Sequence, residues 1–187
     1  MKKTLTILCL AAVAISAVSS DKKHEKMNRF PMAAMIAEKS GADFEAEFLA
    51  LMIHHHMGGE PMWMLAREKS KNDSILAMEK KITPKEKKEV EQMTGWLKTW
   101  HGKTPQDFKE PEDSKKMMET DMAALKAAGE KEFDTLFAEK MAHHHMGAIE
   151  MGKLADNKAE HAEVKAFAKS LVEAQTKERE KLLEIAK

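Results

Sequence analysis

The sequence has little cysteine, glycine and proline, and neither sign of charge is in excess. A single Cys among 187 residues excludes a disulfide scaffold and a cysteine-based zinc finger. Lys plus Arg and Asp plus Glu number 31 each, which argues against a nucleic-acid-binding protein, because such proteins usually carry a basic surplus. With 33% charged and 43% hydrophobic residues, the composition is neither that of a disordered chain nor that of an integral membrane protein. Eight Gly and five Pro are few, and the abundant Ala, Lys, Glu, Met and Leu favour helix.

Residues 1–20 have the order of a secretory signal peptide. A basic start with Lys2 and Lys3 is followed by an apolar run over residues 5–18 and by small residues at 17–20. The run is too short for a membrane-spanning helix, which needs about 20 apolar residues. A lipoprotein signal that uses Cys9 is the disfavoured alternative, because Cys9 lies inside the apolar run. The sequence therefore predicts a periplasmic or secreted protein with one mature domain over residues 21–187.

Cleavage after Ser20 would leave a chain that is rich in soft ligands and free of thiols. The mature chain would keep 29 basic and 31 acidic residues, a net charge of −2, with fifteen of the 16 Met and all 9 His. It would lose Cys9. A thioether remains a soft ligand in an oxidising compartment without forming disulfides. This composition is typical of a protein that handles copper outside the cytoplasm.

The chain contains an internal repeat. The segment His54–Gly58 reads His-His-His-Met-Gly, and the same five letters recur at His143–Gly147, 89 positions later. Apolar positions agree at the same offset on both sides, and the matched pairs are Phe44 with Phe133, Phe48 with Phe137, Met52 with Met141, Met62 with Met151, Leu65 with Leu154 and Ala66 with Ala155. We interpret the chain as two homologous halves, about 28–102 and 112–187, within one domain.

Hydrophobic periodicity predicts helices and no strands. The predicted helices cover residues 28–39, 43–69, 72–100, 112–128, 131–156 and 159–186, with the longest linker over 103–111. Asp43 is the expected N-cap of the second helix and Asn72 begins the third, while Thr83-Pro84 marks a break or a kink within the third. Four long and two short helices indicate an all-α four-helix bundle with two additional short helices.

Met and His residues recur at helical spacing in both halves. Met52, His55 and Met62 lie close to one helix face with His56 beside it, and the second half repeats the pattern with Met141, His144, His145 and Met151. Thioether sulfur and imidazole nitrogen suit Cu(I) and Ag(I), and imidazole also accepts Cu(II). Each His must be neutral to bind a metal ion. We therefore favour copper ligation, possible also with silver, at these eight residues.

Simpler structural roles compete with ligation. Met at helical spacing usually fills a core, and we prefer that interpretation for Met35, Met78, Met93 and Met122. A solvated histidine-rich patch is the alternative for the His runs, but consecutive buried imidazoles need partners. The isolated residues His24, His101 and His161 are expected at the surface, with His24 and Met27 as an auxiliary ligand arm.

Two details leave the number of metal sites open. His54 shares a face with Met57, and His143 with Met146, so these four residues form either a second, more exposed site or an extension of the first. Pro61 has no counterpart in the second half and predicts a kink or break that moves Met62 relative to the histidines. The two halves should then differ in metal affinity.

The pattern Met-x-x-His-His-x-Gly-Ala-x-x-Met resembles the family catalogued as domain of unknown function 305. The second half fits it with Met141, His144, His145, Gly147, Ala148 and Met151, and the first half with Met52, His55, His56, Gly58 and Met62, with Gly59 in place of Ala. The family's Gln-x-x-Glu pattern on the following helix is similar to Gln175 and Glu178 and to Glu86 and Glu89. The resemblance implies a ferritin-like bundle and copper binding, and it does not by itself imply catalysis.

These features predict a periplasmic copper-binding protein, not an enzyme, that serves copper sequestration, trafficking or resistance. Its expected partners are metal ions and a periplasmic copper chaperone or efflux system, with no nucleic acid and no membrane after signal cleavage. One alternative is a metal-free, Met-rich structural or chaperone-like bundle. The other is a ferritin-like di-metal oxidase, which ranks low because no His has a Glu three residues before it.

Overall fold

The computed structural model describes residues 30–187. This part of the chain forms six α-helices and one 3-10 turn, Pro105–Asp107, and contains no strand. The helices are α1 (Pro31–Ile36), α2 (Gly41–Lys69), α3 (Asp73–His101), α4 (Glu112–Ala127), α5 (Glu130–Lys158) and α6 (Ala162–Ile185). The prediction of an all-α fold is confirmed.

Two helical hairpins build the bundle. Helix α2 packs against α3 and α5 packs against α6, and contacts between α2 and α5 join the two hairpins. The short helices α1 and α4 each pack against α2 and α5. The predicted ferritin-like four-helix bundle with two homologous halves and two additional short helices is therefore confirmed.

Local sequence determines most of the helix ends. The Asn72 side chain accepts hydrogen bonds from the backbone N–H groups of Ser74 and Ile75, at 2.9 and 3.3 Å, and so caps α3 as expected. Helix α3 ends at Gly102, whose φ of 61° lies in the left-handed region that favours glycine. Asp43 is not an N-cap, because α2 begins two residues earlier and Ser40 takes that position.

The two internal prolines do not break their helices. Helix α2 continues through Pro61 and α3 continues through Pro84, so neither helix is broken, and a kink at each position stays a prediction. Proline removes only one hydrogen bond from the helix ladder, to the carbonyl four residues earlier. Both prolines lie at exposed positions, and so does Met57, whose carbonyl loses the bond to Pro61.

The core consists of two apolar clusters at different levels of the bundle. Phe44 stacks on Phe48 in the first cluster, and their repeat equivalents Phe133 and Phe137 stack in the second, with ring centroids 5.7 and 6.0 Å apart. The expected core methionines Met78 and Met93 are buried and Met122 packs against the second cluster. Met35 is 41% exposed, so its prediction as a core residue is wrong. Its neighbours Met32, Ala33 and Ile36 occupy the inner face of α1 instead.

No helix in residues 30–187 is long and apolar enough to cross a membrane. The predicted signal peptide, Cys9 and the auxiliary arm of His24 and Met27 lie outside the described residues. The start of the helix predicted over 28–39 lies outside them as well.

Candidate metal centre

Helices α2 and α5 bring the two histidine triplets together in the middle of the bundle. Gly59, which follows the first triplet motif, and Gly147, the last residue of the second, allow this close approach. A Cβ atom on Gly59 would lie 2.7 Å from Cε1 of His144, and one on Gly147 would lie 3.0 Å from Nε2 of His55. Any larger residue at Gly59 would therefore push against the imidazole ring of His144.

Four imidazole rings form a continuous row across the contact between α2 and α5. Adjacent ring centroids are 6.3 Å apart for His56 and His55, 3.8 Å for His55 and His144, and 6.3 Å for His144 and His145. Nε2 of His55 donates a hydrogen bond of 3.0 Å to the backbone carbonyl of His144. The structure thus combines the predicted His pairs of the two halves into one histidine row.

The histidine row contains buried ring nitrogens that lack hydrogen-bond partners. They are Nδ1 of His55, His56 and His144, and both ring nitrogens of His145. Buried polar atoms in proteins almost always have a partner, and an unsatisfied one costs about 1–3 kcal/mol. A bound metal ion would satisfy such lone pairs, so the donor set fits a soft or borderline cation.

Burial keeps the two central imidazoles neutral. Desolvation, reinforced by the neighbouring His56 and His145, lowers the pKa of His55 to about 3. Desolvation, reinforced by His55 and His145, also lowers the pKa of His144 well below its ordinary value. Neutral imidazole is the form that coordinates a metal ion, so both rings are available as ligands at neutral pH.

Helices α3 and α6 supply carboxylates to the outer ends of the histidine row. Nε2 of His56 donates a 2.9 Å hydrogen bond to Oε2 of Glu89, and Nε2 of His145 lies 3.4 Å from Oε2 of Glu178. A carboxylate that accepts a hydrogen bond, as Glu89 does from His56, orients a ligating imidazole and fixes its tautomer. Burial tends to raise the pKa of Glu89, but hydrogen bonds from His56 and Lys85 bring it below its ordinary value, which favours the carboxylate.

A second polar pair connects the two halves beneath the histidines. Nε2 of Gln175 donates a 3.4 Å hydrogen bond to Oε1 of Glu86, the residue that occupies the equivalent repeat position. Burial raises the pKa of Glu86. The Gln-x-x-Glu resemblance therefore picked out residues that do face the candidate centre.

The four predicted methionine ligands are fully buried on either side of the histidine row. Met52 and Met151 belong to the first apolar cluster, and Met62 and Met141 belong to the second. Each cluster thus takes one thioether from each half of the chain. The sequence grouped these residues by half, whereas the antiparallel packing of α2 and α5 pairs them across the halves.

The other four predicted ligands lie at the edges of the centre. Nε2 of His54 donates a 3.0 Å hydrogen bond to the carbonyl of Pro105. His143 is exposed and stacks on Phe30, while Met57 is 55% exposed and Met146 packs partly buried against the first cluster. His54 and Met57 line different cavities.

His101 and His161, which were predicted to be surface residues, lie against a buried carboxylate at one end of the bundle. His101 and His161 both contact Oε1 of the fully buried Glu45, at 3.0 and 2.5 Å. The prediction that they are isolated surface residues is wrong, because the ends of three helices meet at this point. The sequence signal for this cluster was Glu45 itself, a carboxylate beside Phe44 in the predicted core of α2.

The sequence profile of the family described as domain of unknown function (DUF305) matches residues 61–186. The chain belongs to the DUF305 family. The matched segment contains the second histidine triplet and the carboxylates of α3 and α6, and it begins after the first triplet. No curated protein matches the sequence closely enough to count as a relative.

Solved DUF305-type structures share the fold. The Cu(II)-bound form of CopM superposes with a TM-score of 0.69 at 20% identity, covering 79% of this chain and 97% of CopM. A DUF305 fragment from Deinococcus radiodurans gives a TM-score of 0.68 at 22% identity over 79% of this chain and 97% of the fragment. The Cu(I)-bound form of CopM gives a TM-score of 0.63 at 19% identity, covering 75% of this chain and 93% of CopM. At these identities the similarity establishes the helical-bundle fold.

Proposed function

We propose that this DUF305 protein binds copper outside the cytoplasm, for sequestration, trafficking or resistance. The ligands are the Met-His-His-Met sets of the two halves, with copper as Cu(I) or Cu(II) and with silver as a possible substitute. The observation that carries the proposal is the histidine row, in which five buried ring nitrogens have no hydrogen-bond partner. A metal-free core gives no physical reason to bury unsatisfied imidazole nitrogens.

The chemistry of the donors favours copper over harder cations. Buried thioethers lie on both sides of the histidine row along the helices, and sulfur and imidazole together suit Cu(I), while the imidazoles also accept Cu(II). CopM, which has a similar fold, has been solved in Cu(II)-bound, Cu(I)-bound and Ag-bound forms. That likeness supports the choice of metal.

Competition for Cu(I) against a chromophoric chelator tests the proposal. A variant with Ala at His55, His56, His144 and His145 is expected to lose high-affinity Cu(I) binding. Unchanged affinity would refute the assignment. Because four Ala substitutions create cavities in the core, circular dichroism has to establish that the variant still folds.

Exchange of methionine for leucine tests the sulfur ligands without removing volume. The substitutions Met52→Leu and Met151→Leu nearly preserve the packing of the first apolar cluster, so their cost in stability should stay below about 1.5 kcal/mol. Cu(I) affinity should fall, and Cu(II) affinity should change less, because only Cu(I) strongly prefers sulfur. Met78→Leu, at a buried methionine outside the repeated motif, is the matched control.

Export and cellular partners belong to the same proposal. Cleavage of residues 1–20 would deliver the protein to the periplasm or the medium, where it would exchange copper with a chaperone or an efflux system. The intact mass of protein recovered from the periplasm tests this directly. A mass that retains residues 1–19 would contradict export by cleavage.

We propose binding rather than catalysis, and one observation favours a test of the enzymatic alternative. Glu86, Glu89 and Glu178 lie with the histidine row in the bundle interior, and mixed carboxylate and histidine ligands are typical of ferritin-like di-metal oxidases. Iron-dependent consumption of O₂ by the purified protein would support an oxidase.

A metal-free structural bundle instead predicts no rise in thermal stability when copper is added.

A further inference from the structure

Three potential metal ligands meet at the end of the bundle that lies away from the histidine row. Glu45 comes from the first turns of α2, His101 is the last residue of α3, and His161 immediately precedes α6. One ligand atom from each lies within 4.8 Å of the other two. Glu45 precedes His55 by ten residues, which is about 15 Å along the helix, so this cluster is separate from the histidine row.

The spacing of the three side chains is close to that of a metal site. Nε2 of His101 and Nδ1 of His161 lie 3.0 and 2.5 Å from the same atom, Oε1 of Glu45. Ligands at the usual zinc distances of about 2.0–2.2 Å in a tetrahedron are about 3.3 Å apart. Separations of this size need only small side-chain movements. The Glu45 side chain is fully buried and that of His161 is 33% exposed, which leaves an approach from solvent.

The surroundings hold the three groups in place without occupying the shared side of the carboxylate. Oε2 of Glu45 accepts hydrogen bonds from the backbone N–H groups of Glu160 and His161, at 2.8 and 2.7 Å. The Trp100 ring stacks on His161 with centroids 3.9 Å apart and planes 6° apart. Outer contacts of this kind orient ligands in metal sites.

The charge state of Glu45 also suits a cation. Burial by itself raises the pKa of this carboxyl, but hydrogen bonds from His161, His101 and the backbone of Glu160 bring it below its ordinary value. Glu45 is therefore a carboxylate at neutral pH, with two imidazoles directed at one oxygen.

We propose that Glu45, His101 and His161 form a second metal site, which takes a borderline divalent cation, Zn(II) or Cu(II). Two imidazole nitrogens and one carboxylate oxygen suit such ions, and three protein ligands leave a fourth position for water. None of the three ligands is sulfur, so this site does not share the preference of the Met-His centre for Cu(I). On binding, the proton of each nitrogen that now donates to Glu45 moves to the other ring nitrogen or to water.

The same contacts also suit a purely structural role, in which the histidines hold Glu45 against the start of α6. The number of Zn(II) ions bound per protein molecule distinguishes the two roles. Native mass spectrometry of the metal-free protein titrated with Zn(II) is expected to find one ion fewer in His101→Ala and in His161→Ala than in the wild type. Glu163→Gln, which removes an exposed carboxylate from the first turn of the same helix, should bind as many ions as the wild type.

Equal Zn(II) counts in all four proteins would overturn the proposal. If His101→Ala does not fold, His161→Ala decides, because the His161 side chain is 33% exposed and that of His101 only 8%, so truncation of His161 removes less packing. A melting temperature that Zn(II) raises in the wild type and less in His161→Ala supports binding to the folded site. This outcome is independent of Cu(I) affinity at the histidine row, so either proposal can fail without the other.

Discussion

His55 and His144 occupy equivalent positions of the two repeats, and their imidazole rings lie with centroids 3.8 Å apart. The contact is made by α2 and α5, which carry the same His-His-His-Met-Gly sequence in opposite directions. It converts two separate sequence motifs into one buried row of donors. The expected behaviour of the protein in solution follows from this contact and from the groups around it.

Acid should destabilise the metal-free protein. The pKa of His55 is about 3 in the folded chain and near its ordinary 6.5 in the unfolded chain, so between these values the unfolded state binds a proton that the folded state does not. Stability therefore rises with pH across this window and is lost as pH falls. From pH 7 to pH 5, His55 alone should cost about 2 kcal/mol. Urea unfolding at several pH values in the presence of a chelator measures the loss.

The matched variant for this pH dependence is His143→Ala, which removes an exposed histidine of the same triplet. His143→Ala should leave the slope of unfolding free energy against pH unchanged, whereas His55→Ala should flatten that slope. Equal slopes for both variants would show that the central imidazoles are not the titrating groups.

Gly59→Ala should destabilise the protein through the histidine row. The new Cβ would lie 2.7 Å from Cε1 of His144, whose ring is in close contact with that of His55, at a centroid distance of 3.8 Å, and cannot easily move. Overpacking of this kind costs about 1–3 kcal/mol. Gly95→Ala is the control, because nothing lies within 4 Å of its Cβ position inside α3. That control should stabilise the protein by about 0.5–1 kcal/mol, since Ala favours helix.

Glu89→Gln should weaken copper binding without removing a copper ligand. Oε2 of Glu89 accepts the hydrogen bond from Nε2 of His56 and so directs the lone pair of Nδ1. Loss of an orienting carboxylate typically lowers metal affinity about 10–100-fold. Chelator competition measures the change, with the exposed Glu91→Gln on the same helix as the control. If both variants bind copper as tightly as the wild type, Glu89 does not orient the ligand.

The two halves of the histidine row should contribute unequally to copper affinity. Nε2 of His56 is already engaged by Glu89, whereas both ring nitrogens of His145 lack a hydrogen-bond partner. Glu89 fixes the His56 ring with Nδ1 left for a metal, whereas no hydrogen bond orients His145, so His56→Ala should cost more affinity than His145→Ala. Equal losses in a Cu(I) titration of the two variants would contradict this prediction.

The sequence by itself determined the secondary structure and the repeat. Helix-forming composition, the Asn72 cap and the Gly102 end depend on neighbours in the chain, so the helices could be predicted to within a few residues. The spacing of Met52, His55 and their equivalents likewise identified the candidate ligands, since side chains three and four apart share a helix face. Pro61 does not break α2, because a proline removes only one hydrogen bond from a helix of 29 residues.

Only the tertiary structure decided which of these residues meet. The ring contact of His55 with His144, the pairing of Met52 with Met151 in one cluster and the contact of Gln175 with Glu86 all depend on how helices distant in sequence pack. The cluster at Glu45 shows this most clearly, because its ligands come from three helix ends with no common spacing. Periodicity describes one helix at a time, whereas a binding site in a bundle is formed where several helices come into contact.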